Sequence, residues 1–273
     1  MAENGHGPDF IEAISRGLDV LRSFSPARPR MSLSEVAQAA ELARPTARRI
    51  LLTLEELGYV RISNGSHALT PRVLELGMAY VGSLGLWDMA RPHLEELARR
   101  TNEPVSMAQL DGSDIVYVAQ VVVPKLIALR VDIGTRFPAL LTSQGMVLLA
   151  ALDPEEALNT LTEPSRSGLP TPRESREEIL AATGKVRDQG WAVADQVLAP
   201  GVRSVSVPVA DGSGKVQASI NVTVNAAEIG IETLVGVYLP LLQEAAEKTH
   251  QDWARWQSRP SSSRTAPGGA VGS

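Results

Sequence analysis

No cysteine occurs among the 273 residues, which excludes disulfides, thiolate nucleophiles and every zinc site built on sulfur. Histidine is nearly as scarce: His6, His67, His93 and His250 are widely separated, so neither a metal centre nor a cofactor is expected. Long apolar runs are missing too. None supplies the ~20 consecutive apolar residues of a membrane helix, and no membrane partner is expected. Residues 1–9 carry acids and glycines where a signal peptide would place basic and then apolar residues. A cytoplasmic protein with a flexible N-terminus is the expectation. There is no Gly-x-Ser-x-Gly elbow and no histidine placed as base to a nucleophile, so hydrolase chemistry lacks its apparatus. The run Asp211-Gly-Ser-Gly-Lys215 is no phosphate loop either. That motif would need Gly at Val209 and a hydroxyl at Val216, and the segment reads as a hairpin turn.

What is present is enough apolar material, 44 %, to bury a core, in a chain whose length suits two domains. The net charge of −5 is unevenly spread. Residues 10–70 hold eight arginines against six acids, while the remainder is strongly acidic. Within the basic part, Arg44, Arg48 and Arg49 form a local cationic patch with no acid between residues 42 and 54. Affinity for a polyanion must therefore be local.

Periodicity predicts a first helix over residues 10–24 with Phe10, Ile14, Leu18 and Leu21 on its buried stripe. Ser32 followed by Glu35 forms a capping-box pattern that opens a helix over residues 33–40. After a short break, Pro45 introduces a third helix reaching Leu57 and stopping at Gly58. Its stripe is read as Ala43, Ala47, Ile50, Leu54 and Leu57. Two short extended runs around Asn64-Gly65 predict a β-hairpin. This order is that of a winged helix-turn-helix, assigned to residues 10–70.

A recognition helix brings short or cationic side chains to the DNA at its N-terminal turns. Candidate DNA contacts are Ser34, Arg44, Pro45, Thr46, Arg48, Arg49 and Thr53, with Ser63, Asn64 and Ser66 of the wing in second rank. Arginine can bind guanine in bidentate fashion or a phosphate without sequence information, and the chain does not say which arginine does which. The plain alternative for the three arginines is a solvated helix face. His67 is read as an ordinary surface residue.

Residues 71–87 read as a linker helix. Residues 88–257 form an α+β domain: a helix over 89–100, strands over 104–110, 114–123 and 126–131, helices over 143–151 and 174–189, a hairpin of 202–209 with 216–224, and a final helical region over 229–256. The mainly antiparallel sheet follows from the turns between strands. Residues 258–273 are read as a disordered tail.

With these patterns in place, the chain resembles the IclR family of bacterial transcriptional regulators over roughly residues 10–256. The resemblance rests on Ala13-Ile-Ser-Arg-Gly-Leu-Asp-Val-Leu21, Arg48-Arg-Ile-Leu-Leu-Thr-Leu54, Leu57-Gly-Tyr-Val60, Gly134-Thr-Arg-Phe-Pro138, Thr142-Ser-Gln-Gly145 and Pro200-Gly-Val-Arg-Ser204 with Pro208-Val209. Pro45-Thr-Ala-Arg-Arg49 and the Gly-Thr-Arg-x-Pro segment look most like the branch controlling catabolism of protocatechuate, 4-hydroxybenzoate and related aromatic acids. The resemblance implies a winged helix-turn-helix, a linker helix and a GAF-like effector domain, assembled as dimers or dimer-of-dimers tetramers on a near-palindromic duplex operator. It places a small-acid pocket at Leu126, Phe137, Ser143, Gln144, Asp195, Val202, Ser204, Asn221 and Thr223, with Arg130 or Arg136 able to meet a carboxylate or to form structural ion pairs. The branch commonly has Arg at the position of Met146, and Asp-Gln-Glu-Leu at Asp195-Gln-Val-Leu198, so the effector's identity does not carry over. The functional expectation is a ligand-responsive DNA-binding regulator. The alternative is an enzyme acting on a small acid with an appended DNA-binding module.

Overall fold

The computed structural model describes residues 7–125 and 131–258, so Leu126, Arg130, residues 1–6 of the expected flexible N-terminus and residues 259–273 of the expected tail lie outside the described residues. The chain divides between Tyr80 and Val81 into two compact units.

In the first unit, α1 (Glu12–Arg22), α2 (Leu33–Ala39) and α3 (Arg44–Glu56) pack around Val20, Phe24, Met31, Val36, Leu51, Leu54 and Val60. The predicted capping box is present: Ser32 Oγ accepts from the Glu35 amide at 3.3 Å and the Glu35 carboxylate accepts from the Ser32 amide at 2.7 Å. These reciprocal bonds fix where α2 starts. The wing is β2 (Val60–Ser63) and β3 (Ser66–Leu69), joined by Asn64 and Gly65 at φ 53° and 75°. Two successive positive φ values are what a tight hairpin with right-handed twist requires. A two-residue strand, β1 (Met31–Ser32), pairs with β3 and completes a three-stranded sheet that periodicity does not reveal.

Three expectations need correction. Most of the stripe of the first helix faces outward: Phe10, Ile14 and Leu18 are 44 %, 59 % and 42 % exposed, whereas Leu21 packs on the core as expected, beside Val20 and Phe24. On α3 the buried residues are Ala47, Leu51 and Leu54 with Ile50 alongside, whereas Ala43, at the N-cap, and Leu57, at the C-cap, are exposed. His67 is buried, its Nδ1 3.3 Å from the Met31 carbonyl, because β1 covers it.

Helix α4 (Val73–Leu84) runs across the division. It ends at Gly85, whose left-handed backbone (φ 61°) precedes α5 (Leu86–Thr101). A Cβ on Gly85 would stand 2.7 Å from the Trp256 ring, so a side chain is excluded both by conformation and by contact.

The second unit is built on a six-stranded antiparallel sheet in the order β6-β5-β4-β9-β8-β7. Its strands are β4 (Val105–Asp111), β5 (Asp114–Val121), β6 (Arg136–Pro138), β7 (Ala192–Asp195), β8 (Val202–Ala210) and β9 (Val216–Asn225). The helices between them are α6 (Ser143–Ala150), α7 (Pro154–Thr160) and α8 (Arg176–Gln189). The chain closes with α9 (Ile231–Thr233), a π-helical turn (Leu234–Tyr238) and α10 (Leu239–Gln257). The turn at Asp211 is a hairpin turn, the Asp211 carboxylate accepting from the amides of Ser213 and Lys215 at 2.8 and 3.1 Å. Residues 126–131, expected as a strand, lie outside the described residues except for Val131, which is not in a strand. Strands β6 and β7 and helix α7 were not foreseen. Asp153 caps α7 ahead of Pro154-Glu-Glu, a start signal that was there to be read.

Period-two alternation gives the sheet two unlike faces. Val105, Met107, Val205, Val207, Ile220 and Val222 pack with α5 and α10 around the buried Trp253. The opposite face carries Ser106, Ser204, Ser206, Ser219 and Asn221, all buried, beneath α6. A buried polar layer must hydrogen-bond internally or hold something polar.

Candidate functional site: a DNA-reading surface and a ligand cavity

In the first unit the cationic patch is presented as a recognition helix requires. Arg44, Arg48 and Arg49 are exposed, and none has an ion-pair or side-chain hydrogen-bond partner among the described residues. The N-cap Ala43 offers no side-chain acceptor and the first turn holds no acid. The leading amides of α3 and its positive dipole end are therefore available to an anion, beside three arginines. Pro45 and Ser34 are exposed and Thr46 half-buried. Thr53 is exposed, but its hydroxyl donates back to the Arg49 carbonyl at 3.0 Å. On the wing Ser63 and Asn64 are exposed and Ser66 half-buried. Arg61, passed over in the sequence, is exposed on β2 and likewise unpaired, a cation on the same hairpin.

In the second unit, α6 delivers its N-terminus onto the polar face of the sheet. Ser143 Oγ lies 2.7 Å from both Ser204 Oγ and Ser206 Oγ. Asn221 donates to Thr223 Oγ1 at 3.0 Å, while its own Oδ1 is buried without a hydrogen-bond partner. Ser143, Val202, Ser204, Asn221 and Thr223 line one cavity together with Tyr117, Leu141, Thr142, Ala194 and Leu198. The last five were missed because they come from four separate segments. Burial pushes the Tyr117 phenol well up, so it stays a neutral hydroxyl, with no hydrogen-bond partner among the described residues. The free space is about 20 Å³, room for about one water molecule.

Four other candidates stand elsewhere. Gln144 is fully buried in the packing of α6 on the sheet, donating to the Ser219 carbonyl at 3.1 Å. Phe137 meets Tyr117 edge-on, ring centroids 5.8 Å apart, and belongs to the core behind the cavity. Asp195 accepts from Arg203 Nε at 2.7 Å, and that guanidinium holds its carboxyl below the usual carboxylate range. Arg136 is paired with Asp111 and reaches Asp114 at 3.6 Å, the structural ion pair that the sequence left open.

Residues 78–251 match the profile of the bacterial transcriptional regulator IclR C-terminal domain, and residues 13–62 that of the IclR helix-turn-helix domain. The chain belongs to the IclR family. Among curated relatives of this IclR protein is the Pca regulon regulatory protein of Pseudomonas putida, 36 % identical over 88 % of this chain and 83 % of its own. The p-hydroxybenzoate hydroxylase transcriptional activator of Acinetobacter baylyi is 30 % identical over 88 % and 91 %. A transcriptional regulator from Rhodococcus sp. RHA1 superposes with a TM-score of 0.77 at 42 % identity, covering 90 % of this chain and 99 % of its own. An IclR homologue from Microbacterium hydrocarbonoxydans, solved with 4-hydroxybenzoate, shares the fold at 22 % identity, with a TM-score of 0.76 over 89 % and 99 %. This IclR protein is a transcriptional regulator with a helix-turn-helix and not an enzyme, and the alternative of a catalytic domain is set aside. Among the described residues no helix is long and apolar enough to cross a membrane.

Proposed function

We propose that the protein controls transcription in response to a phenolic carboxylic acid held between α6 and the polar face of the sheet, as the names of the Pca and p-hydroxybenzoate relatives suggest. The observation that carries this reading is the unpartnered, buried Asn221 Oδ1 beside the helix N-terminus. An acceptor left without a donor costs ~1–3 kcal/mol, which a phenolic O–H would recover. The carboxylate end suits the dipole of α6 and the Ser143 and Ser204 hydroxyls, and no cofactor is needed. Ligand sites begin near ~300 Å³, so a cavity of about 20 Å³ must open before an aromatic acid fits. Ligand therefore selects a second arrangement of the effector domain, and differential affinity for the two arrangements is the currency of allosteric control. A melting screen against 4-hydroxybenzoate, protocatechuate and benzoate tests it. At a hundredfold excess over Kd a true ligand stabilises by ~2.7 kcal/mol. No shift with any phenolic acid at millimolar concentration, or full retention in Ser204→Leu, refutes the site.

The same reading includes a dimer in the cytoplasm, bound to a near-palindromic operator with half-sites ~34 Å apart. The outward stripe of Ile14 and Leu18 on α1, a face a lone protomer leaves wet, supports pairing of two copies there. Ile14→Asp with Leu18→Asp should yield monomers in sedimentation and remove operator binding. Unchanged mass in that variant excludes α1 as the contact.

A further inference from the structure

A second cavity in the C-terminal unit is much roomier than the first, about 310 Å³ against 20 Å³. Pro138, Leu140, Leu161, Pro164, Pro172 and Ile179 give it apolar walls. Ser113 also lines it, 5 % exposed, with an Oγ that has no hydrogen-bond partner. The exposed members are different: Glu163 and Glu174 belong to the lining, neither side-chain carboxylate has an ion-pair or hydrogen-bond partner among the described residues, and no Lys, Arg or His lines the space. The Glu163 carboxylate lies over Gly112, where a Cβ would come within 2.6 Å of Oε2. The segment beside it is anchored: Asp114, 1 % exposed, accepts from Ser165 Oγ at 2.6 Å and from the Arg166 amide at 2.7 Å.

The cavity thus has a polar buried end, an apolar middle and an anionic rim. An organic acid is the wrong occupant, because the rim repels it and no cation receives it. We propose that this cavity binds a small organic ammonium ion with a hydrogen-bonding group at the far end of its apolar body, of the hydroxyaryl-alkylamine type. The ammonium is drawn to Glu163 and Glu174, the ring lies against proline and leucine, and the far hydroxyl meets Ser113 Oγ, which can donate or accept. The two cavities share a wall: Leu140 lines this one and Leu141, its neighbour in the 3₁₀ turn Ala139–Leu141, lines the first. The site stands on its own residues and does not depend on what the first cavity binds.

Isothermal titration of the full chain with tyramine at low ionic strength tests the proposal. Saturable binding is expected, at least tenfold tighter than for 3-(4-hydroxyphenyl)propionate, which reverses the charge, and tighter than for 2-phenylethylamine, which lacks the hydroxyl. The surface double variant Glu163→Gln with Glu174→Gln should weaken tyramine at least fivefold, and Leu161→Trp, which fills the space, should abolish binding. Saturating 4-hydroxybenzoate should leave the tyramine stoichiometry unchanged. The proposal is overturned by absence of saturable binding at millimolar tyramine, by equal affinity for the propionate, by an affinity the double variant does not change, or by displacement with 4-hydroxybenzoate.

Discussion

Gly145 and Ala139 are in such close register that a Cβ added to Gly145 would lie 2.1 Å from the Ala139 carbonyl oxygen and 2.4 Å from its Cα. Both partners are backbone, so nothing flexible can yield. This approach lets the 3₁₀ turn lie flat against the start of α6, with Thr142 Oγ1 accepting from the Gly145 amide at 2.9 Å. The helix N-terminus and the Leu141 wall of the effector cavity are thereby set relative to each other. Gly145→Ala must push the turn away, and overpacking of this kind costs ~3 kcal/mol. A fall of that size in the urea stability of the C-terminal unit, with loss of ligand response, is expected. A variant as stable as the parent would show that α6 can slide without consequence.

Lys125 and the buried Glu103 form another dependent pair, Nζ to Oε1 2.6 Å, with Glu103 only 3 % exposed. Burial raises the Glu103 carboxyl above its ordinary range, and Lys125 acts against that rise. Lys125→Ala leaves the carboxylate buried with Glu228 as a like charge nearby, and breaking such a pair costs ~3 kcal/mol. The sign of the pH dependence follows from the direction of the shift. A carboxyl whose folded pKa lies above its unfolded value makes the folded state bind more protons between the two, so stability falls as pH rises through that window. The defect in Lys125→Ala should thus be largest at neutral pH and shrink on acidification toward the unfolded Glu value of ~4.3. Melting curves of parent and variant across pH 4–8 check this, and a pH-independent difference contradicts it.

What the sequence revealed follows from how local each signal is. The Ser32–Glu35 cap and the Asn64-Gly65 turn depend on residues within one turn of each other, and both formed as read. The α3 stripe slipped toward Leu51 because four-three spacing fits two overlapping rows, and only packing against α1 and α2 selects between them. For α1 the periodicity located an apolar face but carried no information that only its Leu21 end meets the core while Ile14 and Leu18 face solvent. In the effector domain, Val202 with Ser204 and Asn221 with Thr223 alternate along strands and converge on one cavity. Tyr117, Leu198 and the second cavity were illegible, since their placement depends on which distant strands pair.

If Arg44, Arg48 and Arg49 meet DNA as proposed, measurement separates base readers from phosphate clamps among them. A phosphate contact releases counterions, so deleting it should lower the slope of log K against log salt by ~0.9 while weakening all sequences alike. A bidentate base contact is worth ~1–3 kcal/mol of discrimination, so deleting it should relax specificity at one operator position. All three side chains are exposed and unpaired, so alanine at each leaves the packing of Ala47, Leu51 and Leu54 intact, and melting of the N-terminal unit should be unchanged. We expect Arg48→Ala and Arg49→Ala each to weaken operator binding, Arg49→Ala also freeing Thr53 of no contact, since that hydroxyl is held by the Arg49 backbone carbonyl. Salt titrations and footprints of the single variants and of the double variant read out both quantities. Unaltered affinity, footprint and salt slope in the double variant would remove α3 as the helix that enters the groove.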